Sequence, residues 1–583
     1  MRDQPGPFQI VSASAGVGVR RPHMSAAAFS VCSMRRWLPL LALGCVVLAW
    51  AWPLQSVGCG QNAHYAATRS FAEGHPDVDR YAQETCDLVK RDGHFYAAKG
   101  PLLDFWSAPW YLLLHAAHAV PANLHAGERY PAAMLGVPQR AVWQIALWAV
   151  VLPGALLLVL LRRVSDEVEP GTGVATAVIL GLGTLTFPFA TLLFAHVPAA
   201  LLGFAAFALL FRGRSAFLAG VCAGLAVSTD LPLLVVAAAL LVYAWRRAPW
   251  YALGAVVGAA PLFAFGLWAF GDPFRLAYAG AAIDPGAGGA EQAPVHNLFY
   301  TLTSPHPHIA VQMLLTRRGL LVLTPVVAAA GAGVVLWWRR GLRREAALIA
   351  GLTVAELVWH AFRPTYELAL GGWVPGPRFL VPLMPFLCFA IAPVLRRAPL
   401  TVGALGAISV VSMTIATAAE PLLPDDHTTH WLARIRDGNF ASTVLSLTGI
   451  GHGWLAILPL FVFVAVAYAI AAATAPVRWS PRDAQWAIAS VAAWVVLQAG
   501  APKLLRVDDL VRQSWGAIAA LIVLAVAVWA VVELRLLALV LLAPFVVASV
   551  DDHTKWALLY AVLLLAALTT RSVLPRMRRV SWR

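Results

Sequence analysis

Seven carboxylates fall within one polar interval, Asn62–Pro109: Glu73, Asp77, Asp79, Glu84, Asp87, Asp92 and Asp104. The whole chain carries only 29 acidic residues among 583, so this interval concentrates them. A carboxylate set against a hydroxyl can take its proton, and a cation set opposite can receive a departing anion. Asp79, Asp87 and Asp92 are the candidates for such a base. Lys99, on the same interval, and Arg378, far along the chain, are the candidate cations. Both lie beside glycine and proline, which permit close backbone approach. The plainer alternative for each carboxylate is a solvated loop charge, and for Lys99 an ammonium reaching an interface from an apolar stem.

What positions that interval is a scaffold of unusual composition. Hydrophobic residues make up 60% of the chain and charged residues 12%, against about 45–50% and about a quarter in ordinary soluble domains. Apolar runs of roughly 17–20 residues, long enough to cross a bilayer as helices, recur from Trp37 onward. The fold class expected is an all-α polytopic membrane protein with a large first extracytoplasmic loop containing interfacial helices. The formal charge of +14 does not indicate nucleic acid, because the arginines sit at the ends of apolar runs, where they set topology. Nucleotide chemistry is not indicated either: no GxxxxGK[ST] loop is present.

In order, residues 1–33 are expected to be disordered or mis-annotated, with Met24 and Met34 as alternative starts. Trp37–Leu54 is a first span leaving Arg35 and Arg36 in the cytoplasm. Lys99–Val120 is apolar but carries Asp104, His115, His118 and an internal Pro109, which suits a helix lying in the interface. With that helix on the outer surface, Arg162–Arg163, Arg212–Arg214, Arg246–Arg247, Arg339–Arg344 and Arg396–Arg397 all fall on the cytoplasmic side. The expected total is about sixteen spans, with both termini cytoplasmic and the working face extracytoplasmic. Cys59 and Cys86 are the two cysteines assigned to the outer loops. They are either bridged, as an oxidising compartment allows, or two free thiols. Glu356 and His360, four apart on one helix, either line a groove or satisfy each other inside the bundle. His296, His306 and His308 lack a carboxylate at metal-ligand spacing, so no metal site is expected.

The first loop resembles that of a known family. HYAATRSFAEGHPDVDRY followed by DGHFYAAKGPLLDFWSAPWY is similar to the first extracytoplasmic loop of the GT-C glycosyltransferases. These include the protein mannosyltransferases and the lipid A aminoarabinose transferases. The match runs through Tyr65, Glu73-Gly74, Asp79 and the Tyr96-Ala97-Ala98-Lys99-Gly100-Pro101 element. FAHVPAAL at Phe194–Leu201 and GGWVPGPRFLVPLMPF at Gly371–Phe386 resemble later motifs of the same family. The family's acidic pair in Asp-Glu-x-x-Tyr is replaced here by Gln61-Asn62-Ala63-His64-Tyr65. Either another loop carboxylate serves, or the reaction has been lost.

The resemblance implies a catalytic transmembrane module over residues 34–400, with its outer loop at 55–138, and accessory helices over 401–583. It implies transfer of a sugar from a polyprenyl-phosphate carrier to a glycan, lipid or protein acceptor at the outer face of a plasma (inner) membrane. Asp79, Asp87 or Asp92 would be the base, Asp79 first in the family's order. Lys99, Arg378, Tyr96, Tyr65 and His196 would contact substrate and phosphate. Besides the lipid-linked donor and its acceptor, the expected partners are membrane lipids, with no nucleic acid and no separate cofactor. A transporter or flippase of a lipid-linked sugar is the competing reading, although no inverted repeat is visible. A non-catalytic relative is the third.

Overall fold

Lipid offers no partner to a backbone N–H or C=O, so apolar segments in it must close their hydrogen bonds internally. The computed structural model describes residues 26–500 except 120–138, 278–281, 285–305, 364, 423–426, 452 and 477–479. Among these, helices make up most of the chain. Five are long and apolar enough to cross a membrane: Gln139–Val168, Trp245–Phe270, Arg378–Leu395, Pro399–Ala418 and Gly453–Thr474. A sixth arises if His308–Leu323 and Pro325–Arg339, bent by 102°, count as one broken span. The protein is a multi-pass membrane protein.

The tally of about sixteen spans is not met among the described residues. Several expected spans are shorter helices, Gly173–Gly183, Ala216–Thr229 and Leu231–Tyr243 among them. Proline and glycine interrupt the apolar runs, as Pro325 does at the 102° bend. The spans expected beyond residue 500 lie outside the described residues, as does His296. The first helix, α1 (Ala26–Ala51), starts earlier than Trp37 and reaches back into the segment 1–33.

Small residues let the helices meet. Gly220 and Gly224 face Gly254 and Gly258, each pair spaced four apart. A Cβ at Gly220 would lie 2.0 Å from the Tyr251 carbonyl oxygen, so this crossing is built on backbone contact. Elsewhere the core is aromatic. Phe204, Phe207, Phe386 and Phe389 interlock with ring centroids 5.4–6.2 Å apart, and Trp337 closes on Phe389 at 4.6 Å. On the other side of the bundle, the Trp50 indole donates to the Gly181 carbonyl at 2.8 Å.

The helices expected as accessory share this core. Strand β1 (Pro53–Leu54) follows α1 directly and pairs antiparallel with β5 (Ser442–Thr443), Pro53 opposite Thr443. Trp52 donates to the Ala456 carbonyl at 2.9 Å, which pins the helix Gly453–Thr474 against the first span. The first loop then folds as helix α2 (Cys59–Ala72), a 3-10 turn (Asp79–Glu84), and a hairpin of β2 (Leu88–Arg91) and β3 (His94–Ala97). The Asp92-Gly93 turn joins the strands, both residues with positive φ, the conformation a two-residue hairpin requires. The outer edge of β2 takes a third strand, β4 (Ala282–Asp284).

Helix α3 (Leu102–Ala116) completes the loop. Fifteen residues at 1.5 Å rise extend roughly 22 Å, short of the ~30 Å hydrocarbon core. Its buried residues, Leu103, Asp104, Ser107, Ala108 and Tyr111, recur at helical spacing and pack on α2. The opposite side leaves Trp106, Leu112 and Leu113 exposed, and Trp106 and Trp110 stack on Trp148. One polar-satisfied face and one apolar face are what a helix in an interface needs.

Candidate functional site

The first loop is clamped before it is functional. Cys59, the first residue of α2, is disulfide-bonded to Cys86; of the two alternatives left open by the sequence, the bridge is the one observed. Thr85 donates from its hydroxyl to the Cys59 carbonyl at 2.7 Å and accepts from the Asp87 N–H at 3.2 Å. Asp87 is thereby set at the lip of α2, and Lys99 reaches it from the end of the hairpin to form an ion pair. Lys99 can come this close because Gly100 follows it. A Cβ at Gly100 would stand 2.6 Å from the Thr229 carbonyl oxygen, so only glycine lets the loop press on the turn after the helix Ala216–Thr229.

These contacts enclose a cavity of about 600 Å³. One wall is the first loop, with His64, Asp87 and Lys99; the other is the bundle, with His196, Asp230 and Arg378. Arg378 opens the span Arg378–Leu395, and its guanidinium lies over the rings of Phe194 at 5.3 Å and Phe379 at 5.0 Å. Gly371 has φ +94°, and a Cβ there would fall 2.2 Å from the Arg378 Nε. The left-handed glycine therefore gives the arginine its seat.

Two histidine–aspartate pairs flank the cavity. His64 Nδ1 is 2.8 Å from Asp104 Oδ1 on the loop wall, and His196 Nδ1 is 2.6 Å from Asp230 Oδ2 on the bundle wall. Burial raises the Asp104 carboxyl above the usual range, against the pull of His64 and Lys99. Burial pushes Asp87 up as well, but the Lys99 ammonium, its hydrogen bond and Arg378 outweigh it, and the carboxyl ends below its ordinary value. Asp87 therefore stays ionised next to its cation.

The structure distributes the other sequence candidates elsewhere. Asp79 is on the outer surface of the loop, its Oδ2 2.6 Å from His94 Nδ1 and its Oδ1 accepting from the Phe95 N–H. Asp92 sits in the hairpin turn, 3.3 Å from Arg275. Tyr65 is fully buried under α2, edge-on to Tyr111, and Tyr96 packs on Phe270 at 4.9 Å. Neither tyrosine lines the cavity. Of the named residues, Asp87, Lys99, His196 and Arg378 are brought together there, and Asp79, Asp92, Tyr65 and Tyr96 are not. Asp230 and His64 line it although the sequence reading did not single them out. The signal for His64 was its place one residue before Tyr65.

Gln61 and Asn62, which stand where the family has its acids, hold the loop instead. Gln61 donates to the Ser56 carbonyl and accepts from the Leu193 N–H, both at 3.0 Å, while Asn62 donates to the Glu84 carbonyl at 2.8 Å. Among the described residues, one group could hold a metal ion, Asp77, Asp79 and His94, with ligand atoms within 4.8 Å of one another. It is on the outer surface, away from the cavity.

Fold and site together define a helical membrane protein with a polar cavity roofed by a disulfide-closed loop. No protein-family model matches the chain, and no curated protein matches it. Among solved structures, the chain is similar to ArnT from Cupriavidus metallidurans in the apo state, at 16% identity over 82% of this chain and 80% of that one, TM-score 0.43. It is similar to the same protein bound to undecaprenyl phosphate at 15% identity, over 82% and 73% of the two chains, TM-score 0.41.

Proposed function

We propose that the protein is a membrane glycosyltransferase of GT-C type. It moves a sugar from a polyprenyl-phosphate carrier to an acceptor hydroxyl within the cavity under the first loop. The observation that carries this reading is the convergence of Lys99 and Arg378, from segments far apart in sequence, on one cavity with aromatic walls. A sugar leaving a lipid phosphate departs from an anion, and two cations at its phosphate stabilise the charge as it grows. The ester bond stores the energy of transfer, so the reaction needs no nucleotide.

Asp87, the one candidate base that reaches the cavity, is engaged with Lys99 and cannot easily accept a further proton. Its role in this reading is to hold the ammonium in place for the phosphate. Helix α3 lies at headgroup depth with its tryptophans in the interface, which puts Lys99 where a carrier phosphate sits. The Cys59–Cys86 bridge supports an extracytoplasmic loop, hence a cavity on the outer face of a plasma membrane with both termini cytoplasmic. The catalytic unit is residues 34–400, and the helix Gly453–Thr474 braces its first span.

The test is release of free polyprenyl phosphate. Purified protein is given polyprenyl-phosphate sugars extracted from host membranes, with the matching acceptor fraction, and the lipid products are weighed by mass spectrometry. Lys99→Ala and Arg378→Ala should each lower release about a hundredfold, on the order of 3 kcal/mol of transition-state stabilisation. If the wild-type protein moves the lipid between leaflets but leaves every sugar attached, it is a carrier and this reading is lost.

A further inference from the structure

The transfer still requires a group to take the acceptor's proton, and the bundle wall supplies a better one than the first loop. His196 opens the helix His196–Phe211, and Asp230 follows the helix Ala216–Thr229. Their contact of 2.6 Å joins Nδ1 to a carboxylate oxygen. With Asp230 accepting from Nδ1, the ring lone pair falls on Nε2. That Nε2 is buried and has no hydrogen-bond partner, on a side chain 6% exposed that lines the cavity. A basic nitrogen left without a donor at a cavity wall is matched to a hydroxyl brought there by substrate.

Its position relative to the cations fits a displacement. Phe194 stacks on the His196 ring at 5.7 Å and also carries the Arg378 guanidinium at 5.3 Å. Phe379 meets His196 edge-on at 5.8 Å and Arg378 at 5.0 Å. The imidazole is therefore one aromatic ring away from a phosphate-binding cation. On the loop wall, His64 is paired with Asp104 beside the Asp87–Lys99 pair instead.

We propose that His196 is the base that accepts the acceptor hydroxyl's proton, and that Asp230 is the positioning residue that fixes its tautomer. This rests on the glycosyl-transfer reading above. In the step, the acceptor oxygen bonds to the anomeric carbon while the carbon–oxygen bond to phosphate breaks. The bonding pair goes to the phosphate oxygen facing Lys99 and Arg378, and the hydroxyl proton goes to His196 Nε2. The Nδ1 hydrogen stays with Asp230, and the imidazolium returns its extra proton to water when product leaves.

The experiment compares His196→Gln, Asp230→Asn, Asp230→Glu and His64→Gln in the polyprenyl-phosphate release assay, with undecaprenyl phosphate binding as the measure of an intact site. His196→Gln should cut kcat about a thousandfold with the binding and the KM for donor unchanged. Asp230→Asn should cut kcat about a hundredfold, and Asp230→Glu should recover part of it, as a fixed tautomer requires. Wild-type turnover in His196→Gln, loss of lipid binding in it, or a larger loss in His64→Gln would each overturn the assignment while the transferase reading stands. A wild-type protein that binds undecaprenyl phosphate yet releases none from any sugar ester defeats both together.

Discussion

The first loop has two faces built from the same residue types. Facing the cavity are Asp87, Lys99 and His64, with Asp104 buried behind His64; facing outward are Asp77, Asp79, Asp92 and His94. Each face has a histidine held by an aspartate at hydrogen-bonding distance, 2.8 Å for His64–Asp104 and 2.6 Å for His94–Asp79. The first pair is almost fully buried, with side chains 1% and 2% exposed; the second is open, at 56% and 39%. Water and salt screen the open pair, so it contributes little to stability. Low dielectric keeps the buried charges strong and makes any unpaired one costly. On the proposed reading, chemistry belongs to the first face and solubility to the second.

The beam between the faces is Arg69. It is fully buried, ion-paired to Glu84, and held between the rings of Tyr65 at 4.2 Å and Tyr81 at 3.7 Å. Removing one partner of a buried pair leaves the other charge without compensation, at about 3–5 kcal/mol. Arg69→Ala is therefore expected to collapse the loop, and should be read as a fall in melting temperature and in folded yield in detergent. A variant that melts like the wild type would show that the two faces do not depend on a common support.

The disulfide comes next. It closes a separation of 27 residues, and on the chain-entropy account such a link contributes about 3–4 kcal/mol. The double variant Cys59→Ala/Cys86→Ala should lose about that much, with the cavity face affected first because Asp87 directly follows Cys86. Hydrogen exchange would show it: faster exchange at the start of α2 than at the β2–β3 hairpin. Equal loosening of both would contradict the comparison.

Much of this was legible in the sequence, for physical reasons. Lys99 and Arg378 stood out because a cation among glycine and proline in an apolar chain has few bland explanations. Cys59 and Cys86 stood out as the two outer-loop cysteines. The placement of the carboxylates was not legible. Asp79, Asp87 and Asp92 lie close together in sequence, but the 3-10 turn and the hairpin send the first and third outward and the second inward. Turn and loop geometry decide this, and motif order does not carry it. Asp230 was hidden differently. It ends a short apolar helix, and only the glycine-mediated approach of Gly100 to Thr229 brings it into the site. Several spans expected within the described residues are short or broken helices, because hydropathy sums over breaks at Gly and Pro that the backbone does not ignore.

Asp87→Asn separates holding a cation from doing chemistry. It keeps the shape and removes the charge, so Lys99 loses its partner and wanders. On the proposed reading, turnover should fall about tenfold, near 1.4 kcal/mol, with binding of the polyprenyl-phosphate carrier weakened to a similar extent. The pH profile gives the sign. The Asp87 carboxyl is held below its ordinary value of about 3.9, so its pairing contributes fully above that value and is lost as pH falls through the depressed one. Wild-type stability should therefore drop on acidification below about pH 4, while Asp87→Asn should lack that part of the drop.

Asp79→Asn is expected to do least, and it tests the comparison most cleanly. Asp79 holds His94 and accepts the Phe95 N–H at 2.6 Å, so asparagine preserves the backbone contact and loses only the charge. The hydrogen bond and charge of Asp79 raise the His94 imidazole above its usual value. A raised histidine favours the folded state below its unfolded value of about 6.5 and loses that contribution as pH rises through the folded one. Removing the charge should move the His94 titration, followed by NMR of its ring protons, back toward the ordinary midpoint. Salt at about 1 M, where the screening length is about 3 Å, should move it part of the way in the wild type. Transferase turnover should stay within about twofold, since water and salt screen this open pair. A hundredfold loss in Asp79→Asn with an intact melting transition would put the base on the outer face, and the division between the two faces would have to be redrawn.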